Sequence, residues 1–341
     1  MTLAEAEKIN QTPIMFIMGK ERSGTTLLQA MLNSHPNIVA PIESRIIIFL
    51  YARYGHVTDW TEKIIDRLCT DIYNETRFAL YWNIERSILF STLVSVKSVL
   101  TYPLVCKIIY CQTNTNKEIK LIFDKNPVYY FFMKELTEIF PDAKYIHIVR
   151  DYRDNITSHQ KVMRDKNTAE LAYRWLEVNK CLEERKEKFL TNWHTVKYES
   201  LVTQPIDIMT KVCSFIDVPF YENMVTGFST VLAPAFYKNA DRENFTKFHW
   251  NVFNPVNNNR VGQWKVSMPK DQVEIVEAID GEYGKRIYGY EITLPYKKPN
   301  SLRMFRAKFG YEFFKRSIRI VYANPVLFRF FSKVIKPLVS R

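Results

Sequence analysis

The sequence predicts an α/β fold: a parallel sheet flanked by helices, opened by a P-loop-like turn, with helical insertions and a C-terminal helical tail. Three observations carry that expectation. An apolar run, PIMFIM at 13–18, leads through a glycine turn into a helix pattern. Strand patterns then alternate with helix patterns, as they do in a parallel sheet covered on both faces. A basic, aromatic segment closes the chain.

Residues 13–18 are apolar throughout, which suits a strand buried on both faces. The turn that follows belongs to GKERSGTTLL, residues 19–28. Gly19 and Gly24 have the spacing of the phosphate loop G-x-x-x-x-G-K-[ST], but Thr25 stands where that loop's lysine belongs. In TTLLQAMLNSHP, Leu27, Leu28, Met31 and Leu32 recur at helical spacing, and Pro36 lies beyond the helix end. A short strand is expected at 38–40. Residues 45–120 read as mixed and mostly helical. KLIFD at 120–124 reads as a strand, and Asn126-Pro127 predicts a helix start, with Asn as cap, for VYYFFMKELTEIF up to Pro141. KYIHIVRD at 144–151 is the next strand, a long helix is expected over 168–190, and HTVKYE at 194–199 is a further strand.

The chain has 341 residues, enough for one or two domains. Residues 1–296 read as one domain and 297–341 as a basic amphipathic tail. The formal charge is +12, yet residues 297–341 hold twelve Lys or Arg against one acid, Glu312, so the rest is close to neutral. That distribution speaks against a nucleic-acid partner for the main domain. The five cysteines, Cys69, Cys106, Cys111, Cys181 and Cys213, show no CxxC pair, and the six histidines show no HxxxH pattern. Neither a disulfide framework nor a metal site is expected, and a reducing compartment is. MTLAEAEKINQTP lacks the basic head and apolar run of a signal peptide, and 13–18 is too short to span a bilayer. The expected location is cytoplasmic, with peripheral membrane contact as one use of the tail.

The first turn has the makings of an anion site. Backbone amides at a helix N-terminus, glycines that let them approach, and the hydroxyls of Thr25 and Thr26 suit a phosphate or sulfonate. Arg22 can supply the cation that the missing lysine would have given. Thr25 in that lysine's place speaks against an ordinary ATPase or ATP-dependent kinase, and Asp124, at a strand end, is followed directly by Lys125.

RSGTTLLQAMLNSHP, IESR, DKNP and VRDYRDNITSHQ, in that order, resemble the sulfotransferases that use 3′-phosphoadenosine-5′-phosphosulfate (PAPS). The resemblance is closest to the tyrosylprotein branch and its bacterial relatives and covers roughly residues 13–290. It implies PAPS as donor, without a metal. It places Arg22, Ser23, Gly24, Thr25 and Thr26 at the 5′-phosphosulfate end, and Arg150 and Ser158 on the 3′-phosphate. Tyr198 falls near the adenine or the 3′-phosphate, and Arg260 and Lys265, with Gly262, in a late loop closing over the donor. Glu43 matches a general base and Lys125 an electrostatic catalyst at the bridging oxygen. A positioned carboxylate typically contributes ~10²–10⁴-fold in rate, and a preorganised cation facing developing charge is often a large term. Each residue also has a plain alternative: Glu43 paired with Arg45, Lys125 with Asp124 or Glu43, Arg150 in a surface ion pair. His35 is the competing base, Arg153 and Asp154 are expected to hold their turn, and Trp264 suits the core equally well.

The expected acceptor bears a hydroxyl. The segments without motifs are rich in aromatics: Tyr51, Tyr54, Trp60, Tyr73, Phe78, Tyr81, Trp82 and Phe90, then Phe228, Phe236, Tyr237, Phe245, Phe248, Trp250 and Phe253. If some line a pocket, the acceptor is a lipophilic alcohol, sterol or phenol; core packing is the competing account. Asn251, Asn254, Asn257, Asn258 and Asn259 keep a glycan open, and the family resemblance keeps protein tyrosine open. A non-catalytic nucleotide-binding protein at membranes is the alternative from another class. The tail, with Phe and Ile among Arg and Lys, suits an anionic membrane surface, a second subunit, or packing on the domain.

Overall fold

The structure is a computed structural model that describes residues 1–163, 167–229, 252 and 254–323. Helix α1 (Leu3–Gln11) leads into β1 (Ile14–Met18), α2 (Thr25–Asn33) and β2 (Ile38–Val39). The insertion is helical, as α3 (Ile46–Tyr54), α4 (Glu62–Tyr73), α5 (Thr76–Tyr81), α6 (Arg86–Ser95) and α7 (Tyr102–Cys111). Then come β3 (Leu121–Lys125), α8 (Met133–Ile139), β4 (Tyr145–Val149), α9 (Tyr152–Met163), α10 (Thr168–Lys188) and β5 (Trp193–Lys197). Helices α11 (Tyr198–Thr203), α12 (Pro205–Phe215) and α13 (Asn223–Thr226) follow. The late part holds α14 (Trp264–Ser267), α15 (Lys270–Val276), a π turn at Glu277–Gly281, α16 (Glu282–Tyr288) and α17 (Ser301–Ala323).

The five strands among the described residues are all parallel, in the order β2-β3-β1-β4-β5. The period of two along each strand sorts the core onto the two faces of the sheet. Ile14, Phe16, Met18, Ile122 and Tyr145 face the inserted helices and α8, and Phe16 stacks on Tyr145 at 5.7 Å. Met15, Ile17, Phe123, Ile146, Ile148 and Val196 face α2, α11 and α12. Each strand is therefore apolar on both sides, which is why the runs do not alternate in sequence.

One expectation changes, and one of the alternatives for the tail is what the described residues show. The helix predicted after Asn126-Pro127 is split: Asn126 Oδ1 accepts from the Val128 amide at 3.3 Å, a 3₁₀ turn covers Tyr129–Phe132, and only then does α8 begin. Four consecutive rings, Tyr129 to Phe132, are all buried, and one face of an α-helix cannot bury four neighbours in a row. The described part of the basic tail packs on the domain. Tyr311 lies against Phe131 and Tyr173, Tyr322 against Phe132, and Arg319 donates to the Phe131 carbonyl at 3.1 Å and to Glu135 at 2.8 Å. Residues 324–341 lie outside the described residues, as do Phe236, Tyr237, Phe245, Phe248, Trp250, Asn251 and Phe253. Among the described residues, no helix is long and apolar enough to cross a membrane.

Candidate active site

The chain builds outward from β1 toward β2 and β3, then crosses over to β4 and β5, so β1 is where the strand order reverses. Ligands of open parallel sheets sit at the carboxyl ends of the strands beside such a reversal. The loops after β1, β3 and β4 meet there, and they carry Arg22, Lys125 and Arg150.

The first loop is held tightly. At Gly19, with φ 153°, a side chain would place its Cβ 2.5 Å from the Ile148 carbonyl oxygen. At Gly24, with φ 98°, it would fall 2.5 Å from the Tyr198 ring. Arg22 is left-handed, with φ 71°, a conformation that costs about 1–2 kcal/mol for a residue with a Cβ. That turn sends its guanidinium toward α9, where Nε donates to Ser158 Oγ at 3.3 Å. Asn155, one turn earlier on α9, donates to the Glu21 carbonyl at 2.9 Å and to Ser23 Oγ at 3.0 Å. Beneath the loop, Glu21 meets Lys20, His159 and Arg174. Loss of solvent would raise the Glu21 pKa, but Lys20, Arg174 and His159 hold it far below the usual carboxylate range.

At one end of the cluster, Arg150 follows β4 directly. Its Nη1 donates to the Arg22 carbonyl at 3.3 Å and its Nη2 to the Arg260 carbonyl at 2.6 Å. The guanidinium lies 4.5 Å over the Tyr198 ring, and its Nε is buried with no hydrogen-bond partner. Burial, then Arg260 and Arg150, push the Arg22 guanidinium down to about 10. Burial and Arg150 lower Arg260 likewise, with Tyr198 opposing. Cations gathered this closely, with two of them lowered by burial and by their neighbours, make a place for a multiply charged anion.

The late loop reaches this cluster through Asp154, whose carboxylate accepts from the Gly262 amide at 2.7 Å and the Trp264 amide at 2.9 Å. Asp154 therefore fixes a distant loop rather than its own turn. Arg153 does brace that turn, bonding Asp151 at 2.7 Å, and it also reaches Glu277 at 2.6 Å and lies 4.0 Å over Trp264. Trp264 belongs to the core with Val149, Tyr152 and Trp175. The structure brings Arg260 into the cluster but not Lys265, which is exposed with its ammonium 5.9 Å over the Trp264 ring. Arg260 lies in the turn ahead of α14 and Lys265 on the helix itself, so only one of the two basic candidates joins the cluster.

At the other end of the cleft, Lys125 closes β3. Its Nζ is 2.5 Å from Glu43 Oε2 and 3.3 Å from Thr26 Oγ1. The second Glu43 oxygen is held by Arg77. Glu43 thus pairs with Lys125 and Arg77 and not with Arg45, which lies 5.7 Å over the Tyr322 ring. Burial pushes the Lys125 ammonium down to about 7, Arg77 and Arg22 adding to the effect and Asp124 opposing it. Asp124 points to the other face of the sheet, where Tyr129 donates to it at 2.5 Å and burial raises it to about 6. His35 is engaged at the far end of α2, its Nδ1 accepting from the Asn37 amide at 3.0 Å and its Nε2 bonded to the Pro219 carbonyl at 3.1 Å. Arg77 was not among the residues the sequence singled out. It sits in the inserted helices, where no motif or strand end marks it.

Of the aromatics, Tyr54, Trp60, Phe78, Trp82 and Phe228 are buried core residues, and Tyr51, Tyr73, Tyr81 and Phe90 pack against that core. Among the described residues, no cluster of His, Cys, Asp or Glu is arranged to hold a metal ion.

Comparison with known proteins joins this geometry to a family. The sequence profile of the sulfotransferase family matches residues 13–222. That span holds β1 to α12 and the site residues named above up to Tyr198, and leaves out the late loop with Arg260, Gly262, Trp264 and Lys265, as well as Glu277. Protein-tyrosine sulfotransferase A of Caenorhabditis elegans is 25% identical over 329 residues, covering 91% of this chain and 77% of its own length. The protein-tyrosine sulfotransferase of Drosophila melanogaster is 24% identical over 312 residues; this chain spans 53% of its length, and 85% of this chain is matched. Among solved structures, the sulfotransferase domain of the Synechococcus PCC 7002 olefin synthase aligns with a TM-score of 0.53 at 22% identity, over 83% of this chain and 96% of that domain. The sulfotransferase domain from the curacin biosynthetic pathway aligns with a TM-score of 0.53 at 18% identity, over 84% and 99%. These two share the fold. With the family profile covering more than half of its length, the chain belongs to the sulfotransferase family.

Proposed function

We propose that this sulfotransferase takes its sulfuryl group from PAPS and passes it to a phenolic hydroxyl, that of a tyrosine side chain in a peptide or protein. The observation that carries the reading is one cleft with two kinds of end. Arg22, Arg150, Arg260 and Ser158 converge at one, and Lys125 and Glu43 meet at the other. The residues present fit the donor. The buried, partnerless Nε of Arg150 is a hydrogen-bond donor in want of an anionic oxygen, and a nucleotide phosphate supplies one.

PAPS supplies the sulfuryl group and a phosphate that leaves with the electrons of the broken S–O bond. Arg150 and Ser158 hold the 3′-phosphate, with Arg260 and Tyr198 beside them. The amides at the start of α2, the hydroxyls of Ser23, Thr25 and Thr26, and Arg22 hold the 5′ end. Lys125 stands between Glu43 and Thr26, so a small movement trades the carboxylate for an anion at the loop. That trade frees Glu43 Oε2 to take the acceptor's hydroxyl proton, while Lys125 faces the charge growing on the leaving phosphate.

Both named relatives are protein-tyrosine sulfotransferases matching most of this chain, which supports the tyrosine acceptor. The earlier expectation of a lipophilic alcohol or sterol gives way, because the described aromatics that suggested it are packed in or against the core. The test is transfer of label from PAPS to tyrosine peptides, sterols, simple phenols and sugars, with calorimetry of 3′,5′-diphosphoadenosine against ADP. Label entering peptide and a clear preference for the diphosphate are expected. Equal binding of ADP would remove the roles given to Arg150 and Ser158; label on sterol alone would overturn the acceptor.

A further inference from the structure

Helix α17 is apolar on two sides. One side, Ala307, Tyr311, Phe314, Ile318 and Tyr322, is turned to the domain. The other consists of Leu302, Phe305, Phe309, Phe313 and Ile320, at steps that return to the same helix face. Phe305, Phe309 and Phe313 are each 66% exposed, Leu302 and Ile320 58%. A helix that only had to pack on its own domain needs one apolar stripe, and soluble surfaces seldom carry a second one this long.

The charge around this outer stripe names its partner. Arg306 and Arg316 border it, with Arg303 and Lys308 farther round, all exposed. The cations with acidic neighbours are others: Lys315 meets Glu312, and Arg319 meets Glu135. In sequence, residues 324–341 add Arg329, Lys333, Lys336 and Arg341 with no acid. Outward aromatic rings flanked by cations well in excess of the one acid of this helix, Glu312, are the composition of a helix that lies in the interface of an anionic bilayer. A second copy of this chain would bring the same excess of positive charge to the contact.

We infer that the outer face of α17 docks the protein on an anionic membrane surface, with Phe305, Phe309 and Phe313 entering the headgroup region and Arg303, Arg306, Lys308 and Arg316 facing the lipid charge. The reading is independent of the donor and acceptor assigned to the cleft.

Truncation at residue 300 would also remove Tyr311 and Tyr322 from the core, so the test keeps the helix. The full chain is sedimented with vesicles of phosphatidylcholine alone or mixed with phosphatidylserine. It is compared with Phe305→Ser/Phe309→Ser/Phe313→Ser and with Arg303→Gln/Arg306→Gln/Lys308→Gln/Arg316→Gln, each checked by thermal melting. Binding is expected only to the phosphatidylserine vesicles, weakening with salt. It should fall by about fivefold for each cation removed and be lost in the phenylalanine variant. No binding to phosphatidylserine vesicles, or binding undiminished in both variants, would overturn the proposal. So would self-association in sedimentation velocity that the phenylalanine variant abolishes without any vesicle binding; the face would then belong to a second copy.

Discussion

The two ends of the cleft differ in how their charges are balanced. At the proposed donor end Arg22, Arg150 and Arg260 crowd together, burial and the neighbouring cations lowering Arg22 and Arg260, and the Arg150 Nε is buried without a hydrogen-bond partner. At the proposed transfer end a single carboxylate is shared, since Glu43 is held between Lys125 and Arg77. In the proposed reaction the first arrangement waits for an anion and governs affinity, while the second is closed on itself, must be opened before it can act, and governs turnover. Variants at the two ends are therefore expected to separate binding from rate.

The largest effect is expected at Glu43. Glu43→Gln should lower kcat by ~10²–10⁴, the usual worth of a positioned base, while the affinity for 3′,5′-diphosphoadenosine holds or rises because Lys125 loses its competitor. A steady-state rate with labelled PAPS beside a calorimetric titration reads both. Near-normal turnover with intact donor binding would show that Glu43 is not the base.

Arg150→Ala should do the reverse. Losing a charge-assisted contact to a phosphate costs about 1.5–3 kcal/mol, or roughly ten- to a hundredfold in affinity for the 3′,5′-diphosphate. ADP, which has no 3′-phosphate, should bind the variant and the parent protein almost alike. A loss shared equally by both ligands would place Arg150 in the loop's architecture instead, through its bonds to the Arg22 and Arg260 carbonyls.

The contrast was only half visible in the sequence. Arg22, Lys125 and Arg150 could be found because each follows a strand whose apolar run is plain, and the strand ends of a parallel sheet are where ligands gather. Ser158, two turns into α9, was marked only by the resemblance of VRDYRDNITSHQ to the sulfotransferases. Arg77 could not be found that way, because the inserted helices α3–α7 carry an apolar pattern set by packing, and which of Arg45 and Arg77 reaches Glu43 depends on how those helices cross. The same limit applies to Arg260 and Lys265, which look equivalent until the loop is pinned by Asp154. In the run from Val128 to Phe140, helix propensity was overridden by the need to bury four successive rings. The two-sided character of α17 was hidden because composition reports how apolar a helix is but not what each face touches.

Lys125 ties the two ends together and gives a pH signature. Its folded pKa, about 7, lies below the ordinary lysine value because burial and nearby cations disfavour the charged form. Above pH 7 the free protein therefore holds this amine increasingly neutral. A bound phosphate favours the ammonium, so binding above pH 7 takes up a proton, and affinity falls as pH rises by at most tenfold per unit. Calorimetry of 3′,5′-diphosphoadenosine at pH 8 in buffers of different ionisation heat should show uptake approaching one proton, absent in Lys125→Arg. Equal heats in all buffers would mean that Lys125 is already charged in the free protein, held so by Glu43.

The smallest effect is expected at Arg77, where the comparison is sharpest. Arg77 holds the Glu43 oxygen that Lys125 does not, so in the proposed reaction it positions the base. Arg77→Gln keeps a hydrogen-bond donor but loses the ion pair, and should reduce kcat by about tenfold, the worth of one such contact near 1.4 kcal/mol. Two consequences separate positioning from general support of the fold. With the cation gone, the carboxylate should become more basic and the acidic limb of the rate profile should move to higher pH. Arg77→Lys should restore that limb even if the rate recovers only in part, since the charge returns without the planar fork. A lower rate with an unmoved acidic limb in both variants would leave Arg77 as a strut of the helical insertion, and Glu43 as a base governed by Lys125 alone.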